Sequence, residues 1–146
     1  MAFRGTFEYT LDAKNRLTIP AKFRASFADG VVLGRLTDNQ GCIGVWRASD
    51  YDVYTNQTLE QYRPGSPQRL KLERFFFGSS HDAELDAAGR VMVPPFLLEH
   101  AGIDKDTFVM GVGDRLEVWD RAAWSDTSAT LASAVEEITS QLDNAA

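Results

Sequence analysis

Leu11-Asp12-Ala13-Lys14-Asn15-Arg16-Leu17-Thr18-Ile19-Pro20 returns 74 residues later as Leu85-Asp86-Ala87-Ala88-Gly89-Arg90-Val91-Met92-Val93-Pro94. Leu, Asp, Ala, Arg and Pro recur at the same steps, and apolar Leu17 and Ile19 are matched by Val91 and Val93. Further on, Ile43-Gly44-Val45-Trp46 is echoed by Leu116-Glu117-Val118-Trp119 at an offset of 73, each followed five residues later by an aromatic, Tyr51 and Trp124. A unit of roughly 45 residues has been duplicated, and so short a unit buries little core alone. The copies therefore complete one another, as a pseudo-two-fold pair or as a pair that assembles further.

Each copy reads as β-turn-β-α-β-β. In copy one, Thr6 to Leu11 alternates as a half-buried strand, and Asp12 to Asn15 has turn chemistry. Arg16 to Ile19 resumes the alternation, with Leu17 and Ile19 inward. Pro20 ends the ladder and opens a short helix over 21–28 that places Phe23 and Phe27 on one face before Asp29-Gly30 stops it. Val31 to Leu36 and Cys42 to Trp46 form a hairpin across Thr37-Asp38-Asn39-Gln40-Gly41. Copy two repeats the plan: a strand over 83–85, a turn over 86–89, inward Val91 and Val93, a helix from Pro94-Pro95 to Ala101, and strands over 107–112 and 115–119. Between the copies, 48–62 and 67–77 read as helices split by Arg63-Pro64-Gly65-Ser66, the second packing its Leu70, Leu72 and Phe75 to Phe77 end on the barrel. The tail, 126–142, reads as one amphipathic helix with Leu131, Val135, Ile138 and Leu142 in a stripe that needs a partner, its end fraying beyond Asn144. The expected organisation is a first repeat over 5–51, a helical linker over 52–80, a second repeat over 81–124, and a C-terminal helix and tail over 125–146.

With 146 residues, 44% apolar and 25% charged, the composition is that of an ordinary globular chain. It has neither a signal-peptide pattern nor a membrane-length apolar run, so a cytoplasmic location is expected. The single cysteine, Cys42, lies in an apolar segment and reads as a buried side chain. The net charge of −6 is unevenly spread: residues 1–24 carry +3, residues 25–80 balance, residues 81–124 carry −5 and residues 125–146 carry four acids and no base. Screening confines each charge to roughly 8–10 Å, so the local field matters, and copy one suits an anion where copy two does not.

The duplicated Asp-x-x-x-Arg on a strand-turn-strand, followed by Pro and a short helix, closely resembles the MraZ family of bacterial proteins. Gly5-Thr6-Phe7, the stretch from Leu11 to Arg24, and Leu85 to Arg90 carry the match, which spans nearly the whole chain. The resemblance implies a mainly β, α+β fold in which two swapped-hairpin (AbrB/SpoVT-like) units pack as a double-psi-like pseudodimeric barrel, with linker helices and a C-terminal helix. It implies regulation of transcription at the division and cell-wall gene cluster, including the protein's own gene. It also implies binding to repeated boxes in double-stranded promoter DNA, association with the nucleoid, and rings of eight or more subunits. No cofactor, membrane or small-molecule substrate enters that picture.

Two roles suit an Asp four residues before an Arg. The pair can brace the turn: Asp12 accepts turn N–H groups and pairs with Arg16, as Asp86 does with Arg90. It can also aim a guanidinium whose planar fork takes a phosphate or a guanine edge bidentately. Copy one adds Lys14-Asn15, Thr18, Lys22 and Arg24 where copy two has Ala88-Gly89, Met92, Leu98 and Glu99 in the equivalent steps. Arg16 and Lys14 are therefore the leading DNA contacts, with Arg4, Lys22 and Arg24 as supporting cations. Arg90 matches the motif but has neutral or acidic neighbours. Lys22 and Arg24 also fit an ordinary solvated helix face.

Other classes fit less well. An Asp12–Asp86 carboxylate dyad lacks the Asp-Thr/Ser-Gly turn of aspartic proteases, and each Asp has its own Arg. His81 and His100 lack metal-ligand spacing, and no phosphate loop or nucleophile elbow occurs, so the reading is non-enzymatic with no metal site. A protein-interaction scaffold using the acidic second copy and the C-terminal helix remains the alternative.

Overall fold

The computed structural model describes residues 2–38 and 41–145; Met1, the Asn39-Gln40 tip of the expected hairpin turn, and Ala146 beyond the expected fraying point lie outside the described residues. Copy one supplies β1 (Phe3–Thr10), β2 (Arg16–Thr18), a 3-10 helix (Ala21–Phe27), β3 (Val31–Gly34) and β4 (Cys42–Arg47), followed by α1 (Ala48–Leu59). Helix α2 (Pro67–Gly78) leads into copy two. There β5 (His81–Ala83), β6 (Arg90–Met92), α3 (Pro95–Ala101), β7 (Asp106–Gly113) and β8 (Leu116–Asp120) repeat the order, followed by α4 (Arg121–Ser128) and α5 (Leu131–Ala145). The fold is α+β, and its strands pair antiparallel in a six-stranded sheet and a two-stranded ribbon.

The sheet order, β1-β7-β8-β4-β3-β5, is unchanged when every strand is exchanged for its counterpart in the other copy and the order reversed. That is the signature of a pseudo-two-fold axis. The hairpin of each copy is flanked by the first strand of the other, β1 on β7 and β5 on β3, so the hairpins are interleaved. The axis passes through two places. In the β2–β6 ribbon Leu17 faces Val91, and in the β4–β8 pair Gly44 faces Glu117, equivalent positions in both cases.

The interleaving explains the continuous apolar runs in β3 and β4, which are buried on both faces. One face contributes Val31, Leu33, Ile43 and Val45 to the central core with Leu17, Ile19, Val91, Val93, Leu97, Val109, Leu116 and Val118. The other places Val32, Cys42 and Trp46 in a second cluster with Tyr51, Met110 and Trp119, roofed by Tyr54 of α1 and Trp124 of α4. The aromatics five residues beyond each repeated Trp serve the same purpose in both copies: Trp46 meets Tyr51 at 4.9 Å and Trp119 meets Trp124 at 5.1 Å between ring centroids. Burial pushes the Cys42 thiol far up and the Tyr51 phenol to about 12, its O–H donating to Phe76 O.

Three local expectations change. The helix after Pro20 is 3-10, closed by i to i+3 bonds such as Phe23 N–H to Pro20 O at 2.9 Å, which seats Phe23 and Phe27 against Phe3. Helix α2 fully buries only Phe76, against Tyr54 of α1; half-buried Phe75 lies under the Arg35 guanidinium just past β3, while Leu70 and Phe77 stay exposed. The tail is two helices, α4 and α5, interrupted at Ala129-Thr130. Ser125 and Ser128 of α4 donate their hydroxyls to backbone carbonyls, as Thr139 does within α5.

Gly44 is required by packing. A Cβ there would stand 2.2 Å from the Trp46 ring, and that ring is held at about 5 Å by both Tyr51 and Tyr54. Its counterpart, Glu117, has room for a side chain that accepts the Trp119 indole N–H at 3.0 Å. Gly44→Ala is expected to destabilise the fold by about 1–3 kcal/mol through overpacking, read as a lower urea midpoint at unchanged slope.

Candidate nucleic-acid interface

The two Asp-x-x-x-Arg turns have the same geometry. Asp12 Oδ1 accepts the backbone N–H groups of Lys14 and Arg16, both at 2.9 Å, and Asp86 Oδ1 accepts those of Ala88 and Arg90, also at 2.9 Å. Asn15 N–H closes on Asp12 O at 3.0 Å as Gly89 N–H closes on Asp86 O at 2.9 Å. Both turns need a left-handed residue at that step, supplied by Asn15 (φ 58°) and Gly89 (φ 77°). The equivalent carbonyls then cross between copies. Val93 N–H donates to Asn15 O and Ile19 N–H to Gly89 O, both at 2.9 Å.

On this frame each Arg returns its Nε–H to its Asp, Arg16 to Asp12 Oδ2 at 2.6 Å and Arg90 to Asp86 Oδ2 at 3.0 Å. The expected brace is therefore present in both turns. Arg90 also reaches across, its Nη1 3.6 Å from Asp12 Oδ2, so a cation stands between the two carboxylates. The Arg16 backbone N–H holds the Asp12 carboxyl below its ordinary range, and the Arg90 backbone N–H does the same for Asp86, each helped by its own guanidinium. Both stay ionised, the opposite of what a shared-proton dyad needs. No group of three or more metal-ligating side chains occurs among the described residues.

The remaining residues divide. Lys14 is exposed at the tip of the first turn, and Arg16 is half-buried on the outer face of the ribbon, opposite Met92. Arg4 is exposed on β1, opposite Val112. Lys22 rests its ammonium 5.0 Å from the ring centroids of both Phe7 and Phe23. Arg24 is half-buried, donating Nε–H to Ile19 O at 2.9 Å and filling the space over Gly89, where a Cβ would meet its Nε at 2.2 Å. Thus Arg24 joins the copies, Lys22 packs on aromatics, and Lys14, Arg16 and Arg90 share the ribbon surface. Sequence reasoning left out two exposed apolar residues of copy two, Met92 on the ribbon and Phe96 on α3, which are 58% and 46% exposed. Carrying the 74-residue offset two steps past Pro94 would have found Phe96, so Lys22 stands against Phe96 and Arg24 against Leu98 rather than against Leu98 and Glu99.

Because both carboxyls titrate below the unfolded-chain value, their stabilisation is complete above that value and is lost as pH falls through the folded-state pKa. Stability of the wild type should fall more steeply between about pH 5 and about pH 2 than that of an Asp12→Asn, Asp86→Asn double variant, measured by urea denaturation along a pH series.

The MraZ protein family, described as antitoxin-like, matches residues 2–72 and 76–144. Among curated proteins, the chain is 34% identical over 144 residues to "Transcriptional regulator MraZ" of Caldanaerobacter subterraneus subsp. tengcongensis, covering 96% of each chain. The protein of the same name from Thermoanaerobacter pseudethanolicus is 35% identical over 143 residues and 95% of each chain. That of Kocuria rhizophila is 38% identical over 122 residues, covering 84% of this chain and 83% of its own.

Proposed function

The chain belongs to the MraZ family, and from that premise we propose that it is a transcriptional regulator that binds double-stranded DNA with the outer face of the β2–β6 ribbon. The observation that carries the reading is the way Asp12 holds Arg16. The bond uses Nε, so the two Nη groups of a pre-oriented fork stay available for a phosphate or the O6/N7 edge of guanine. A two-stranded ribbon is also narrow enough to enter a major groove about 12 Å wide.

Copy one leads. Lys14 adds an exposed cation at the turn beside half-buried Arg16, whereas copy two has Ala88, and Arg90 is drawn toward Asp12 as well as Asp86. Arg4 supplies a more distant contact on β1, while Lys22 and Arg24 act mainly by positioning the 3-10 helix against the ribbon. So few cations per subunit give weak, mildly salt-dependent binding. A ring of subunits engaging repeated boxes at once raises the apparent affinity without new contacts, which suits regulation of the division and cell-wall gene cluster from the promoter beside the protein's own gene. The protein then works in the cytoplasm at the nucleoid, with no cofactor and no catalysis.

Fluorescence anisotropy with the protein's own promoter against a shuffled duplex tests this. Arg16→Ala should cost about 1–3 kcal/mol on the native duplex and abolish the preference while the protein stays folded and assembled. Lys14→Ala should weaken both duplexes alike and reduce the salt slope by about 1. Undiminished binding and preference in Arg16→Ala would remove the ribbon from the interface.

A further inference from the structure

Four side chains make the outer face of the β2–β6 ribbon: Arg16 and Thr18 from β2, Arg90 and Met92 from β6, with Leu17 and Val91 between them turned inward. Across the ribbon Arg16 faces Met92 and Thr18 faces Arg90. The two arginines are equivalent under the pseudo-two-fold axis, so on this face the copies differ only in Thr18 and Met92. Strand alternation places Met92 outward, and it is exposed where the other three are half-buried. Its neighbours Val91 and Val93 belong to the central core, but Met92 belongs to neither apolar cluster. A large apolar side chain is thus presented to solvent directly beside the arginine that leads the DNA face.

We propose that Met92 is a specificity residue, packing on the 5-methyl group of a thymine in the base pair next to the guanine that takes the Arg16 fork. This rests on the ribbon reading above and extends it by one base pair. The spacing fits. Directly opposed residues of an antiparallel pair hold their Cβ atoms about 4.5–5.5 Å apart, and successive bases on a strand are about 3.4 Å apart. Side chains that start from Arg16 and Met92 therefore arrive on neighbouring base pairs. Chemistry then selects the base. In the major groove only thymine adds a methyl group to its polar edge, whereas adenine, guanine and cytosine present donors and acceptors alone. A thioether laid on those strips water from a polar group and returns no hydrogen bond. The unbranched methionine chain adjusts its three torsions to the methyl. The opposite corner is built differently: Thr18 brings a hydroxyl that suits donor and acceptor edges alike, and its partner Arg90 is divided between Asp86 at 3.0 Å and Asp12 at 3.6 Å. A nearly symmetric platform thereby gains a direction, with the apolar reader beside the less encumbered fork.

The test edits single atoms of the DNA. Anisotropy titrations of the full chain compare the protein's own promoter duplex with duplexes carrying deoxyuridine, which lacks the methyl, at one thymine position at a time. A second series carries 7-deazaguanine, which lacks N7, at one guanine position at a time. Wild type should lose about four-fold in affinity, the worth of one buried methyl group, at a thymine adjoining the guanine whose replacement also weakens binding. Met92→Ala should bind thymine and deoxyuridine alike at that position while keeping the guanine effect and an unchanged far-UV circular dichroism spectrum. Met92→Leu should restore the discrimination, and Arg16→Ala should lose the guanine effect. Indifference of the wild type to deoxyuridine at every position, or discrimination that survives Met92→Ala, would overturn this inference; a guanine effect lost in Arg16→Ala would still leave the ribbon reading standing. Promoter binding insensitive both to 7-deazaguanine and to Arg16→Ala would remove the ribbon reading and this inference with it.

Discussion

Besides the strand ladders between the copies, two hydrogen bonds lock the turn of each half onto the other: Val93 N–H to Asn15 O and Ile19 N–H to Gly89 O, related by the pseudo-two-fold axis. Each uses the carbonyl of a left-handed residue in one copy's turn to end the other copy's strand. The turn presents that carbonyl correctly only because an Asp side chain organises its N–H groups, and the Asp is kept ionised by those same bonds. The brace and the guanidinium it aims are thus one device, and the turn that joins the halves also arms the outer surface.

Around that lock the asymmetries between copies become informative. Interleaving demands the same backbone of both halves, so differences in side chain are free to follow function. Glycine faces glutamate at one crossing of the axis, and the Trp beside each is accommodated differently. On the ribbon, Lys14 stands against Ala88 and Thr18 against Met92 in the offset, giving one cationic and one apolar half to a nearly symmetric platform. A pseudodimer lets one half specialise while the other conserves shape.

Much of this was legible because the duplication keeps a constant offset, which aligns the turns, the inward Leu17, Ile19, Val91 and Val93, and the Trp–aromatic pairs without any structure. The strand pairing between copies was not, since local periodicity carries no register for partners 96 to 110 residues apart such as those of β1 and β7; only the family resemblance pointed to swapped hairpins. Arg24 looked like part of a solvated basic face, but a backbone carbonyl claims it, a contact set by the fold rather than by spacing, while Lys22 is exposed with its ammonium over two aromatic rings. The tail's stripe was visible while its interruption at Ala129-Thr130 was not, because neither residue is a Gly or Pro that would mark a helix end in the sequence.

The most direct measurement is amide hydrogen exchange of the assembled protein with and without a duplex from its own promoter. Slowed exchange in peptides spanning residues 12–18 and 86–92, with residues 104–120 unchanged, is the predicted result. Protection confined to the acidic second half or to α5, with the two turns unaffected, would contradict DNA recognition by the braced ribbon.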